Sequence, residues 1–388
     1  MPSPEFVMKH LSAAPHRLYF FLGALAVLTL FSWWWLQVSH QQLSSVPLHA
    51  LVMPLGVFPL FILGFTFTAG PKWLGVDDQQ SSFLVRGTSY FAGLILLILS
   101  QILNLPQFQM TGFLLMTLVW LSATWRWATL IRLSKAKDKW HSIAICAAMA
   151  GGGLAMITCV FWTAGWENAW LYARDLSFFC FLLPVFVSVC HRMMPFFCSN
   201  VLAPYVMWRP YWLLAAWLSG CVLMAILDSS GWLLAEAAVA IVMSLSFLFT
   251  SLKWGLIRSF SNRMLAMLHL SFAWLAIVFL LFAISGFGYI SWSAPVHALA
   301  LGFMGTMLVG FVSRVSFGHS GRPLVVSTPL WILYLSLHLA AAVRVTATLV
   351  NWPALLTWSA AAWLVLIACW VLMMAPIYLR ARADGKPG

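Results

Sequence analysis

The chain has 388 residues, of which 63% are hydrophobic and 8% charged, with a formal net charge of +12. Twenty-one basic and nine acidic side chains cannot clothe a water-facing surface of this size, which excludes a soluble globular domain and makes lipid the expected solvent. The positive excess does not point to nucleic acid either. It sits in short gaps between apolar runs, not on a basic face interleaved with exposed aromatics.

A helix needs about 20 apolar residues to cross the hydrocarbon. Runs of that kind fall near 18–36, 48–69, 87–105, 111–131, 141–162, 170–190, 210–227, 232–250, 264–284, 295–315, 327–349 and 355–377. They predict an all-α polytopic membrane helix bundle of about twelve helices, forming a single transmembrane domain over 1–388. The first run lacks a small-residue cleavage site and is long enough to span, so it reads as a helix and not as a signal peptide.

Charge placement tests the count. With both termini in the cytoplasm, every basic residue except Arg174 and Arg344 falls at a cytoplasmic end or loop, which is 19 of 21. A wrong number of helices would scramble that segregation. Trp33 to Trp35, Trp73, Trp166 and Trp292 fall near helix ends, where amphipathic rings anchor at the interface. The segment from Arg380 to Gly388 reads as a mobile tail. The seven cysteines make no CxxC pair, so neither disulfides nor a zinc site of ordinary spacing is expected.

Ionisable groups inside a bilayer are costly, which makes each of them a candidate for function. In the second run, His49 and Met53 share a face, and Pro54 and Pro59 should each leave a backbone carbonyl without its donor. In the ninth run, His269 lies about a turn and a half from the cytoplasmic end. In the tenth, His297 precedes a stripe of Ala298, Gly302, Thr306 and Gly310 at four-residue spacing. Small residues so placed admit a neighbouring helix or a flat ring such as a porphyrin, and helix packing is the commoner use. His319 follows 22 residues after His297, about 33 Å along a helix, so the two cannot share one metal. Arg314 and Arg322 flank His319 and could clamp carboxylates, or simply be positive-inside residues.

His338 lies mid-membrane in the eleventh run, with Arg344 beyond it. Cys190, His191 and Cys198 form a conceivable Cys-His-Cys set at the end of the sixth, where packing is the commoner reason for a helix-end His and buried Cys. His10, His16, His40 and His141 read as solvated. Neutral imidazole is the commonest metal ligand, so several membrane histidines tilt the balance toward a haem or metal site.

Several segments together resemble the NnrS family. They are His297-Ala298-Leu299-Ala300-Leu301-Gly302, Gly318-His319-Ser320-Gly321-Arg322-Pro323-Leu324, Gly64 through Gly75, Arg192-Met193-Met194-Pro195-Phe196-Phe197 and Leu268-His269-Leu270. The resemblance implies a twelve-helix protein of the bacterial inner membrane that contains haem and copper and takes part in the response to nitric oxide and nitrosative stress. It implies His49, His269, His297 and His319 as haem-iron ligands, and Arg192, Arg314 and Arg322 as partners of haem propionates; His338 is a weaker candidate by its place in the membrane alone.

On this reading one or two haem b groups are bound. His49 and His297 would serve a periplasmic haem, and His269 and His319 a second centre. The other partners would be nitric oxide or a related small gas and an electron donor that the sequence does not name. A haem-dependent oxidoreductase acting on nitric oxide, a sensor and a scavenger all fit. One departure weakens the case for copper. The family's His-Ala-His-Glu-Met stretch is here His49-Ala50-Leu51-Val52-Met53, without the second His or the Glu. Two glycines before the family arginine are likewise replaced, by Cys190 and His191. The competing readings are a cofactor-free transporter and a structural or assembly subunit of a membrane redox complex.

Overall fold

The computed structural model describes residues 4–41, 46–78 and 82–386. Among them there is no strand, and twelve helices are long and apolar enough to cross a membrane. These are α1 Pro15–Ser39, α2 Val46–Leu74, α3 Phe83–Ile102, α4 Pro106–Leu133, α5 Trp140–Thr163 and α6 Ala169–Val201. They continue as α7 Tyr211–Ser229, α8 Leu233–Lys253, α9 Arg263–Gly286, α10 Ser293–His319, α11 Thr328–Leu349 and α12 Pro353–Tyr378. The apolar runs and the helices correspond one to one.

The largest departure is at α6, which continues to Val201 where apolarity alone ends near residue 190. Its last turns are amphipathic. Val187, Cys190, His191, Met194, Phe197 and Cys198 are buried at three- and four-residue spacing, while Phe196, Ser199 and Asn200 face outward. Averaged hydropathy does not register a helix that is apolar on one side only.

The chain divides into two compact units. One comprises the described residues of Met1–Val185 with His319–Gly321 and Val371–Gly388; the other is Phe186–Gly318 with Arg322–Trp370. In the first, successive helices α1 to α5 pack against one another and onto the first half of α6. In the second, α8 packs on α7 and α9, and α10 on α9 and α11.

Two devices let these helices lie close. Glycines meet at crossings: a Cβ on Gly112 would stand 2.7 Å from the Gly93 carbonyl oxygen, so α3 and α4 approach backbone to backbone. Indoles of the core donate into neighbouring helices, Trp120 Nε1 to the Met149 carbonyl at 2.8 Å and Trp127 Nε1 to that of Ser142 at 3.0 Å. Trp120, Trp127, Trp217, Trp254, Trp363 and Trp370 are fully buried, so much of the tryptophan serves the interior and not the interface.

Prolines are accommodated inside the helices. Pro59 has no N–H for the carbonyl of Leu55 four residues earlier. Tyr90 on α3 supplies the missing donor, its Oη 2.6 Å from that oxygen. Two segments widen into π-helix, Leu176–Leu182 in α6 and Ala298–Gly305 in α10. Such bulges leave carbonyls in need of donors; in α10 the Thr306 hydroxyl lies 2.5 Å from the Gly302 oxygen.

The tail is not the mobile segment expected. As far as Lys386 it is tied to the ends of α10 and α1, while Pro387 and Gly388 lie outside the described residues. Ala383 N–H donates to the Ser320 carbonyl at 2.8 Å, Arg382 Nη1 to that of His319 at 3.0 Å, and Arg17 Nη1 to those of Arg380 at 2.8 Å and Tyr378 at 3.4 Å. Asp384 closes the arrangement by accepting from Arg382 at 2.6 Å. The polar composition of the tail hid this, because the acceptors are backbone carbonyls at helix ends, which hydropathy does not register.

Two outcomes follow. Tyr90→Phe strands the Leu55 carbonyl in the core and should cost about 1 kcal/mol, read by thermal or denaturant unfolding in detergent. An unchanged midpoint would mean that the oxygen has another donor. The hydrogen bond from Arg382 holds the Asp384 carboxyl well below the usual carboxylate range, so the clamp is complete at neutral pH and weakens as pH falls through the acid range. A spin label at Lys386 should be immobile at pH 7, loosen on acidification, and be mobile at both pH values in Asp384→Asn.

Candidate functional site

The histidines and arginines singled out from the sequence fall in both units. His49 and His319 belong to the first; His269, His297, His338, Arg192, Arg314 and Arg322 belong to the second. Which nitrogen of each ring is free decides what the ring can bind. Neutral imidazole has one N–H and one lone pair, and a partner that can only donate or only accept reveals which is which.

His297 is settled by its carbonyl. Nδ1 lies 2.7 Å from the backbone oxygen of Ser293, one turn back in α10, and an oxygen of that kind can only accept. The proton is therefore on Nδ1, and Nε2 keeps its lone pair. A metal-ligating histidine ordinarily has this arrangement, with the far nitrogen anchored to a backbone carbonyl. The Nε2 lone pair is met at 3.0 Å by Nη2 of Arg344 on α11.

His338 is settled the opposite way. The indole N–H of Trp274 on α9 can only donate, and it reaches Nδ1 at 2.8 Å. The ring proton of neutral His338 is then on Nε2, so in this arrangement the ring offers no lone pair to a metal.

His269 is fully buried in α9. Its Nε2 lies 3.1 Å from Cys198 Sγ on α6, and Nδ1 has no hydrogen-bond partner. Cys198 Sγ also lies 3.4 Å from the Trp254 carbonyl. If the thiol proton goes to that carbonyl, Nε2 donates to sulfur and Nδ1 presents a bare lone pair. The alternative buries an N–H with no acceptor, which costs more. The thiol thus faces His269, while His191 Nε2 bonds to the Pro210 carbonyl at 3.1 Å, so the Cys-His-Cys set of the sequence does not assemble.

In the first unit the His49 ring stacks on Trp34, centroids 3.5 Å apart and 19° from parallel. His319, at the end of α10, faces His16 at 4.7 Å between centroids. Sequence reasoning missed His16. It stands beside Arg17 just before an apolar run and looks like a solvated flank, yet His16 and Arg17 are both buried, and His16 Nδ1 has no hydrogen-bond partner. The same correction applies to His141, buried at the start of α5. Each follows exposed or half-buried residues and is the first buried position of its helix, so its neighbours in sequence do not reveal its burial.

The arginines differ among themselves. The Arg314 guanidinium lies over the Phe197 ring, 3.8 Å from its centroid. Arg322 carries a buried Nη1 without a hydrogen-bond partner. Arg192 contributes its backbone oxygen to Arg209 Nη1 at 3.4 Å. Of the two basic residues that broke the charge segregation, Arg174 pairs with Asp175 at 2.6 Å, and Arg344 with His297 and Thr348.

The small-residue stripe of α10 is occupied. A Cβ on Gly302 would stand 2.5 Å from the indole of Trp274, Thr306 Oγ1 bonds Ser271 Oγ at 2.8 Å, and Gly310 abuts Met267 and Leu268. The stripe seats α9, so it is a packing groove and not a slot for a flat ring. No three His, Cys, Asp or Glu side chains among the described residues converge as a metal-ion set.

A family model described as NnrS protein matches residues 10–382. The chain belongs to the NnrS family. No curated protein and no solved structure matches it. The match runs from just before α1 into the docked tail, so both units lie within one NnrS protein. It is a multi-pass membrane protein associated with the nitric oxide response.

The Trp274–His338 assignment predicts a readable change. Trp274→Phe removes the only donor that the structure gives His338 Nδ1. Nitrogen NMR of labelled histidine should then show the ring moving from a single Nε2–H tautomer toward a mixture. An unshifted spectrum would mean that something other than the indole fixes the ring.

Proposed function

We propose that this NnrS protein binds haem b and acts through it in handling nitric oxide, in the bacterial inner membrane with both termini in the cytoplasm. The observation that carries the haem assignment is the tautomer of His297, whose Nδ1–H is anchored on Ser293 so that Nε2 is left as a lone pair. His269 supports it with a buried Nδ1 that has no hydrogen-bond partner among the described residues. These donors fit the group: imidazoles, one pre-oriented by a carbonyl and the other, His269, fully buried in a spanning helix.

Bound haem iron supplies diatomic-ligand and one-electron chemistry that side chains alone do not. The chain's own part is to hold the rings. Ser293 fixes the plane of His297, Cys198 and the Trp254 carbonyl fix that of His269, and the apolar helices around them keep water away. His49 and His319 are further ligand candidates, and Arg192, Arg314 and Arg322 candidates for the propionates. The missing His and Glu after His49 leave copper with the weaker case. A cofactor-free transporter is the second reading, favoured by the two π-helical segments, which break regular hydrogen bonding in membrane helices.

The test is the absorption spectrum of protein purified after haem-replete expression. We expect a Soret band in the wild type, reduced in His297→Ala and His269→Ala and retained in His338→Ala. A colourless wild-type protein, or pigment lost only with His338, would overturn the assignment. Substrate flux in a colourless preparation would favour the transporter.

A further inference from the structure

Arg344 carries its charge inside a membrane-spanning helix, with no acid to answer it among the described residues. It lies in α11, five residues before the helix ends. Its guanidinium reaches only Thr348 Oγ1, one turn on, and His297 Nε2 at 3.0 Å. Among the described residues no carboxylate pairs with it, whereas Arg126, Arg174 and Arg382 each have an aspartate partner at 2.6 Å. Two neutral acceptors use two of five N–H donors, and the others meet no acceptor among the described residues. A cation kept within a membrane helix at that cost marks a place where an anion belongs.

We propose that Arg344, Thr348 and His297 form a receptor for a planar two-oxygen anion, a carboxylate or similar oxyanion. The flat fork of guanidinium N–H groups matches two coplanar oxygens. Occupancy has a second effect. An anion that engages Nη2 withdraws it from His297 Nε2 and frees the lone pair of a ring that Ser293 still holds in place. The receptor thus controls when His297 can act as a ligand.

Two sources supply such an anion: a propionate on a porphyrin, or a small free anion. The receptor rests on the unanswered charge of Arg344; only the propionate source rests on the haem reading.

Haem-free full-length protein is titrated with formate, with chloride as control, and binding is read by thermal shift. Expected is formate-specific stabilisation, with affinity about tenfold or more weaker in Arg344→Gln and partly kept in Arg344→Lys. In parallel, protein is reconstituted with iron protoporphyrin and with its dimethyl ester, which has no carboxylates. Expected for the propionate source is a preference for the free acid of about tenfold that vanishes in Arg344→Gln. Either Arg344-dependent result supports the receptor and names its source. The absence of both results overturns it. If no porphyrin binds the wild type, the haem reading alone fails and the formate titration still decides. If Arg344→Gln does not fold, Thr348→Ala and Arg344→Lys take its place, and affinities equal to wild type in both overturn the proposal.

Discussion

Lipid offers no hydrogen-bond partner, so every polar group within the twelve helices has to be answered by the chain itself. That requirement accounts for the helices, and for the points where they deviate. The carbonyl orphaned by Pro59 is met by Tyr90, the loosened turns of α10 by the Thr306 hydroxyl, and the indole N–H groups of Trp120 and Trp127 by carbonyls on neighbouring helices. It also makes the exceptions informative. His269 Nδ1, His16 Nδ1 and Arg322 Nη1 are among the buried side-chain atoms that find no hydrogen-bond partner among the described residues.

The helical architecture was legible in the sequence because a membrane writes it in the plainest terms, as apolar length and one-sided positive charge. What the sequence could not show was which residues face each other. The stripe from Ala298 to Gly310 reads equally as a groove for a helix or for a flat ring, and only the indole of Trp274 resting on Gly302 decides it. His16 reads as a solvated flank because it follows exposed residues, and nothing local records that burial begins at its own position. The end of α6 escaped because its buried face alternates with a polar one.

The candidate site was legible as a set of residue types and not as chemistry. His297 and His338 look alike in sequence, each a lone histidine among apolar neighbours. Their partners separate them: one rests on a carbonyl and keeps its outer lone pair, the other accepts an indole proton and gives its lone pair up. Arg344 was conspicuous from the start as one of two basic residues on the wrong side of the charge pattern, and the other, Arg174, turned out to be neutralised by its neighbour Asp175.

The seam between the first and last residues bears on how the protein is made. Arg17 is 2% exposed, and among the acceptors of its guanidinium are the carbonyls of Tyr378 and Arg380, more than 360 positions later. A ribosome delivers α1 long before those oxygens exist. The first helix therefore waits with that cation unmoored from them, and the N-terminal unit can be sealed only by residues translated more than 360 positions later.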